Sequence, residues 1–231
     1  MENSDFEFES LNITTNYRKS IICEFNNFLQ GNVVEIGAGI GQITEVLLKE
    51  CSHIKTLQTV EPSSKFHEQL CQKFPELSHH LGTFQTLENI EPDTIISVNV
   101  LEHIENDEQE LKDYAQRLRP KKGMLCLYVP ARQEAYGPID RDFGHYRRYN
   151  KKDLKEKLEQ SGFNIKKIQY RGFIGYIAWY FLFHILKKRN FSSSNMYIYD
   201  KIIFPITNKI ERYICSPPIG QSLLVIAQVQ S

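Results

Sequence analysis

Three glycines in the stretch VVEIGAGIGQIT, namely Gly37, Gly39 and Gly41, stand between an apolar run and an amphipathic one. A strand, a tight turn and a helix in that order cradle a nucleotide, because glycine lets the backbone bend and lets a ligand approach where a Cβ would clash. The dinucleotide form of this turn puts its third glycine at position 42, which here is Gln42. Two acids narrow the choice. Glu35 lies two residues before Gly37, at the carboxyl end of the strand, where it would repel a pyrophosphate and attract an ammonium or sulfonium group. Glu61, in TVEPSS, follows Gly41 by 20 positions and ends the next apolar run, where a carboxylate can accept both hydroxyls of a ribose. Cationic at one end and ribosylated at the other describes S-adenosylmethionine (SAM), with S-adenosylhomocysteine (SAH) as its product. A glycine-rich turn without any ligand is the bland alternative.

The elements that must position these groups fit a chain of 231 residues, long enough for one elaborated domain with a full core. Its 41% hydrophobic and 24% charged content is that of a globular protein. The 28 basic residues balance the 28 acidic ones, so no global field favours nucleic acid. Five scattered cysteines with no C-x-x-C support neither a zinc site nor a disulfide framework, and reduced thiols in a cytoplasmic protein are expected. No cluster with metal-ligand spacing is visible, and no metal is called for. The acidic start MENSDFEFES is no signal peptide, and residues 1–11 are expected to be a flexible tail. The run FIGYIAWYFLFHIL, Phe173 to Leu186, is too short to span a bilayer, which needs ~20 residues. It is expected to be a buried or interfacial helix, with weak membrane or lipid contact left open.

Apolar spacing predicts helices over Asn12–Leu29, Ile40–Glu50, Pro62–Phe74, Asp107–Arg119 and Lys151–Gln160, the last with Asn150 as its N-cap. Strands are predicted at Asn32–Ile36, Lys55–Val60, Ser78–Leu81, Asp93–Val98, MLCLYV, FNIKKIQY and SLLVIAQV. The fold class is therefore α/β: a Rossmann-like, seven-stranded, mostly parallel sheet with helices on both faces. A largely helical insert, Gly172 to Cys215, precedes the last strand. The core spans 12–171, the insert 172–215 is expected to be an acceptor lid, and 216–231 returns to the sheet.

The ordered motifs VVEIGAGIG, VEPS, IISVNVLEHIEND and GMLCLYVPA resemble those of class I SAM-dependent methyltransferases, of the type 11 or 12 domain kind. The resemblance covers about residues 12 to 170 and the last strand. It implies that Glu35, Gly37, Ala38, Gly39 and Gly41 line the methionine moiety, with Glu61 on the ribose and Pro62 beside the adenine. Thr83 and Phe84 would occupy the adenine-side loop, although the family usually has an acid where this chain has Thr83. Asn99, Val100, Leu101 and Glu102 would form the loop beneath the sulfonium, and Tyr17 and Arg18 would close over the cofactor. A small-molecule acceptor is implied, a natural product or a lipid- or glycan-linked intermediate. Nucleic acid is disfavoured, because NVLE stands where an Asn-Pro-Pro-Tyr-like tetrapeptide would be.

Methyl transfer from an activated donor asks the protein for alignment and for removal of one proton. His103 in LEHIE and His145 in FGHYRRY are the candidate bases, since histidine titrates near ~6.5. His145, on the acceptor side of this fold, is the favoured one. Either ring could instead bond a carbonyl to hold its loop. Tyr136, Arg147, Arg148, Tyr149 and Trp179 are the candidate acceptor contacts, the arginines because they could hold a phosphate or carboxylate. They could equally pair with Asp140 and Asp142. A non-catalytic SAM-binding subunit or another transferase on the same fold are the rival functions, and the chain is expected to be a monomer or homodimer. Calorimetry is expected to show binding of SAM and SAH but not NAD, with Glu61→Ala weakening SAH by about 1–3 kcal/mol. NAD affinity without SAH affinity would sink this reading.

Overall fold

The computed structural model describes residues 14–88, 90–187, 193–214 and 216–230. The tail expected at 1–11, the start of the first helix at Asn12, and Cys215 lie outside them. Strands β1 (Gly31–Ile36), β2 (Ile54–Glu61), β3 (Ser78–Leu81), β4 (Thr94–Val98), β5 (Met124–Pro130), β6 (Phe163–Arg171) and β7 (Ser222–Val229) form one sheet. Its order is β3-β2-β1-β4-β5-β7-β6. The first five strands are parallel, and β7 runs antiparallel between β5 and β6.

Helices α1 (Thr15–Phe25), α2 (Gln42–Glu50), α3 (Ser64–Lys73), α4 (Asp107–Leu118), α5 (Pro138–Asp142) and α6 (Lys151–Gln160) alternate with the strands. The inner strands β4, β5 and β7 read as largely apolar runs because both faces of the sheet are covered there, whereas the edge strands β3 and β6 carry polar residues. Successive residues serve opposite sides. Val34, Ile95, Leu125 and Leu127 pack with Leu111, Tyr114 and Leu118 of α4 and with Leu154 and Leu158 of α6. Val33, Ile96, Cys126 and Tyr128 pack with Ile21, Ile22 and Phe25 of α1 and with Val46 and Leu47 of α2.

Helix ends follow the sequence with one correction. The Ser63 hydroxyl accepts from the amide of Phe66 at 3.5 Å, and the Asn106 side chain from that of Gln109 at 3.2 Å. Asn150 stands at the N-cap of α6 but makes no side-chain cap. Its amide instead donates to Asp153 at 3.2 Å and its oxygen accepts from Gln133 at 3.4 Å, so it ties the preceding loop to the helix.

The insert holds α7 (Phe173–Trp179), which runs on as a π-helix to Ile185, then α8 (Ser193–Ile198), a π-helical stretch Tyr199–Ile203 and α9 (Phe204–Tyr213). Its two acids face inward. Asp200 accepts from the amides of Asn16 and Tyr17 at 3.1 and 2.9 Å, capping α1. Glu211 accepts from those of Gly172 and Phe173 at 2.9 and 2.8 Å, capping α7. No described helix is long and apolar enough to cross a membrane.

Gly41 is the N-cap of α2 with φ of +80°, and a Cβ there would sit 2.4 Å from the Phe74 ring and 2.9 Å from Leu70. Gly41→Ala is expected to cost about 2–4 kcal/mol, combining left-handed strain with overpacking. Denaturant unfolding checks this, and a loss below the error of the fit would mean that α3 moves aside freely.

Candidate active site

The carboxyl ends of β1, β2, β3 and β4 surround a cavity of about 520 Å³, within the range of small-molecule sites. Gly37 and Ala38 after β1, Glu61 and Pro62 after β2, Thr83 and Phe84 after β3, and Asn99 and Val100 after β4 line it. Tyr17 and Arg18 of α1 close one side, and His103, Ile104 and Phe143 the other. Asn99 holds a left-handed conformation, φ +54°, unusual for a side chain and typical of a functional turn. Its amide donates to the Tyr128 carbonyl at 2.8 Å, and its side chain meets the Tyr17 hydroxyl together with Tyr128 and Ser222.

Glu61 is buried on the cavity wall, accepting from the amides of Gly39 at 2.8 Å and Ser63 at 2.9 Å. Burial raises its pKa, with those two amides opposing the shift. Glu35 lies behind the wall, 3% exposed, and accepts from the Thr44 hydroxyl at 2.7 Å. Burial pushes its pKa up to about 8 against that hydroxyl bond, and the charge of Glu61 adds to the rise. At neutral pH it is therefore largely protonated, and only a nearby cation would restore its charge.

Gly39, Gly41, Leu101 and Glu102 also stand behind the lining rather than on it; Leu101 and Glu102 are fully buried. Residues that the sequence did not single out complete the wall: Ile21, Gln42, Ile43, Phe66, Gln85 and Glu110. Glu110 supplies an acid beside Thr83 and Phe84, and Gln85 donates to it. In the sequence it sits in the polar run EQELKD, which reads as a solvated helix face.

Of the two histidines, His103 lies on the cavity and His145 behind it, their rings edge to face at 4.6 Å between centroids. Burial, helped by His145, lowers the His103 pKa to about 4. His145 Nδ1 meets Asp140 Oδ1 at 3.1 Å. An ionised carboxylate can only accept, so Nδ1 carries a hydrogen. Burial pushes Asp140 up, but the His145 bond and the Arg148 charge more than offset it and hold it below the usual carboxylate range. His145 Nε2 is buried without a hydrogen-bond partner among the described residues. The fold also brings ligand atoms of Glu102, His103 and His145 within 4.8 Å of one another, a grouping able to hold a metal ion that sequence spacing could not reveal.

The other candidate acceptor contacts are internally engaged. Arg148 Nε donates to Asp140 at 2.7 Å and its guanidinium stacks 4.6 Å from the centre of the Trp179 ring. Arg147 pairs with Asp107 at 2.9 Å and donates to the Glu105 carbonyl at 2.6 Å. The Tyr149 hydroxyl donates to Asp107 at 2.9 Å, and that of Tyr136 to the His145 carbonyl at 2.7 Å. No described residue of the insert lines the cavity.

A buried acid, a glycine turn and a second buried carboxyl thus gather around one cavity at the carboxyl edge of this sheet. A methyltransferase domain family model matches residues 16–168, and the chain belongs to that family. It is a SAM-dependent methyltransferase. A search of curated proteins finds no match. Among solved structures, a SAM-dependent methyltransferase from Clostridium acetobutylicum is 12% identical with a TM-score of 0.60, over 94% of this chain and 92% of that one. One from Thermotoga maritima is 19% identical with a TM-score of 0.62, over 97% and 95%. The CurJ carbon methyltransferase is 19% identical with a TM-score of 0.57, over 88% of this chain and 50% of that one. At these identities the likeness is one of fold.

The raised Glu35 pKa has a sign that can be tested. Between its ordinary value of 4.5 and about 8, the folded state binds a proton that the unfolded state has lost. Its contribution to stability is full below that window and falls as pH rises through it, by at most about 1.4 kcal/mol per pH unit. Glu35→Gln should flatten this slope in unfolding measurements from pH 5 to 8. Parallel profiles for the two proteins would mean that Glu35 ionises normally in the fold.

Proposed function

We propose that the enzyme methylates an O, N or C atom of a small molecule, a natural product or a lipid- or glycan-linked intermediate, in the cytoplasm. What carries the reading is one cavity with two chemically different ends. At one end Gly37, Ala38, Glu61 and Pro62 meet Thr83, Phe84 and Glu110; at the other His103, Ile104 and Phe143 face the same space. The first set suits a nucleoside, the acid taking the ribose hydroxyls and the apolar groups the base. The second suits an acceptor with an apolar body and one acidic proton. SAM supplies an already activated methyl group.

The protein's own work is then positional. Tyr17 and Arg18 cover the cavity from α1 and exclude water, and the strained Asn99 turn fixes the floor beneath the reacting atoms. His103, neutral because burial holds its pKa at about 4, accepts the acceptor's proton. His145, oriented by Asp140, packs edge to face against the His103 ring and holds it toward the cavity. The four described cysteines are free thiols, which accords with a reducing compartment.

His103→Ala and His145→Ala should each lower methyl transfer by ~10²–10⁴ while SAH affinity is unchanged. Transfer is read as the mass shift across a panel of acceptors. With His103 as the base, the acid limb of turnover should lie nearer pH 4 than 6.5, the two values its burial separates. Full activity in both variants on the same acceptor removes the histidines from the chemistry.

A further inference from the structure

The insert concentrates exposed apolar side chains. Along α7 and its π-helical extension, Ile174, Ile177, Phe181 and Ile185 recur every three or four residues, and each is more than a third exposed. Along the second arm, Ile198, Ile202, Ile206 and Ile210 recur every four residues, and each is again exposed. Outside the insert only Leu48, Leu81 and Tyr146 are large, apolar and exposed among the described residues. Two helical arms on one insert thus present stripes that no described residue covers, a feature that marks an interaction surface.

The charges on the insert select the partner. Its sequence holds six basic residues, Lys187, Lys188, Arg189, Lys201, Lys209 and Arg212, against two acids, Asp200 and Glu211. Both acids are buried and spent on capping α1 and α7. Lys187, Lys201 and Lys209 are exposed. The outer surface of the insert is therefore apolar and cationic with no exposed acid of its own. A second copy would set like charges against like across a two-fold contact. An anionic bilayer answers both features: hydrocarbon for the isoleucines and phenylalanine, headgroup charge for the lysines. Neither arm is long enough to cross a membrane, so the geometry is that of lying on it.

We propose that residues 173–213 form a membrane-docking surface that seats this enzyme on an anionic lipid bilayer. The chain as a whole is neutral, so docking depends on the asymmetry of this one face.

The test is sedimentation of the full-length chain with vesicles of phosphatidylcholine alone and of phosphatidylcholine mixed with phosphatidylglycerol. Lys201 is taken up by Asp200 at 3.4 Å and by Thr15, so Lys187 and Lys209 predict a partition coefficient on the order of thirtyfold higher on the mixed vesicles, falling sharply as salt is raised. Lys187→Glu with Lys209→Glu, both at exposed positions, should abolish the preference for the anionic vesicles. Ile177→Glu with Ile206→Glu should abolish binding to both. Retained SAH binding by calorimetry shows that each variant is folded, and the salt dependence of the unmodified chain stands whatever the variants do. Equal partition onto the two vesicles, or none, overturns the proposal. So does a dimer in solution that Ile206→Glu converts to monomers without any vesicle binding, which would make the face a protein interface.

Discussion

Position 37 has room for hydrogen alone. A Cβ there would lie 2.4 Å from Val100 Cγ2, and φ is +66°. This close approach joins the turn after β1 to the turn after β4, at the place where the sheet order reverses direction. Everything else in the site is arranged about that contact. The amides of the turn are already committed: Gly37 and Ala38 donate to the Val60 carbonyl at 2.8 and 3.2 Å, and Gly41 to that of Ala38 at 2.9 Å. Gly39 donates to Glu61 at 2.8 Å. A phosphate-binding turn directs such amides at its ligand. Here they hold β1 to β2 and aim a carboxylate, so the glycines shape a cavity rather than an anion hole.

Around that cavity the chain buries more acid than base. Glu35, Glu61, Glu102 and Glu110 are each at most 6% exposed, and burial raises the pKa of Glu35, Glu61 and Glu110. Desolvated carboxyls are costly in ionised form and are favoured as protonated or hydrogen-bonded groups. A cationic ligand relieves that cost, whereas a phosphate adds to it. Burial of these carboxyls thus suits a sulfonium nucleoside better than a pyrophosphate.

The elements were legible in the sequence because both covered faces of the sheet impose largely apolar inner strands, while each helix buries only one stripe. The bounds agree at Lys151–Gln160 and Ser222–Val229, and also at Ser78–Leu81, where the sequence signal was weak. Asn150 read as a cap, but its side chain found partners in the loop before it, a competition that local sequence does not reveal. Glu61 and the glycines could be picked out because turn chemistry constrains residue type. Glu110 could not, since one buried acid in a polar helix looks like its exposed neighbours. The Glu102, His103 and His145 grouping was equally hidden, because a connection long in sequence brings the second ring home.

That connection, residues 131–150, is ordered by side chains rather than by secondary structure. Asp140 is its hub, receiving the ring of His145 at 3.1 Å, the guanidinium of Arg148 at 2.7 Å and the amide of Gly137 at 2.8 Å. Asp140 and Arg148 are both almost wholly buried, so removing either partner would strand a desolvated charge. The basic run in the sequence is consequently not a free anion receptor: Arg148 serves Asp140 and Arg147 serves Asp107. The proposed acceptor end of the cavity, lined by His103, Ile104 and Phe143, carries neither arginine. Arg148 also stacks on Trp179 of α7, and Phe204 of α9 packs edge to face with Tyr17 at 5.6 Å. Both arms of the insert therefore touch the groups that frame the cavity without entering it. One stacked arginine and one carboxylate thus link Trp179 to His145, and one ring contact links Phe204 to Tyr17 on the cavity wall.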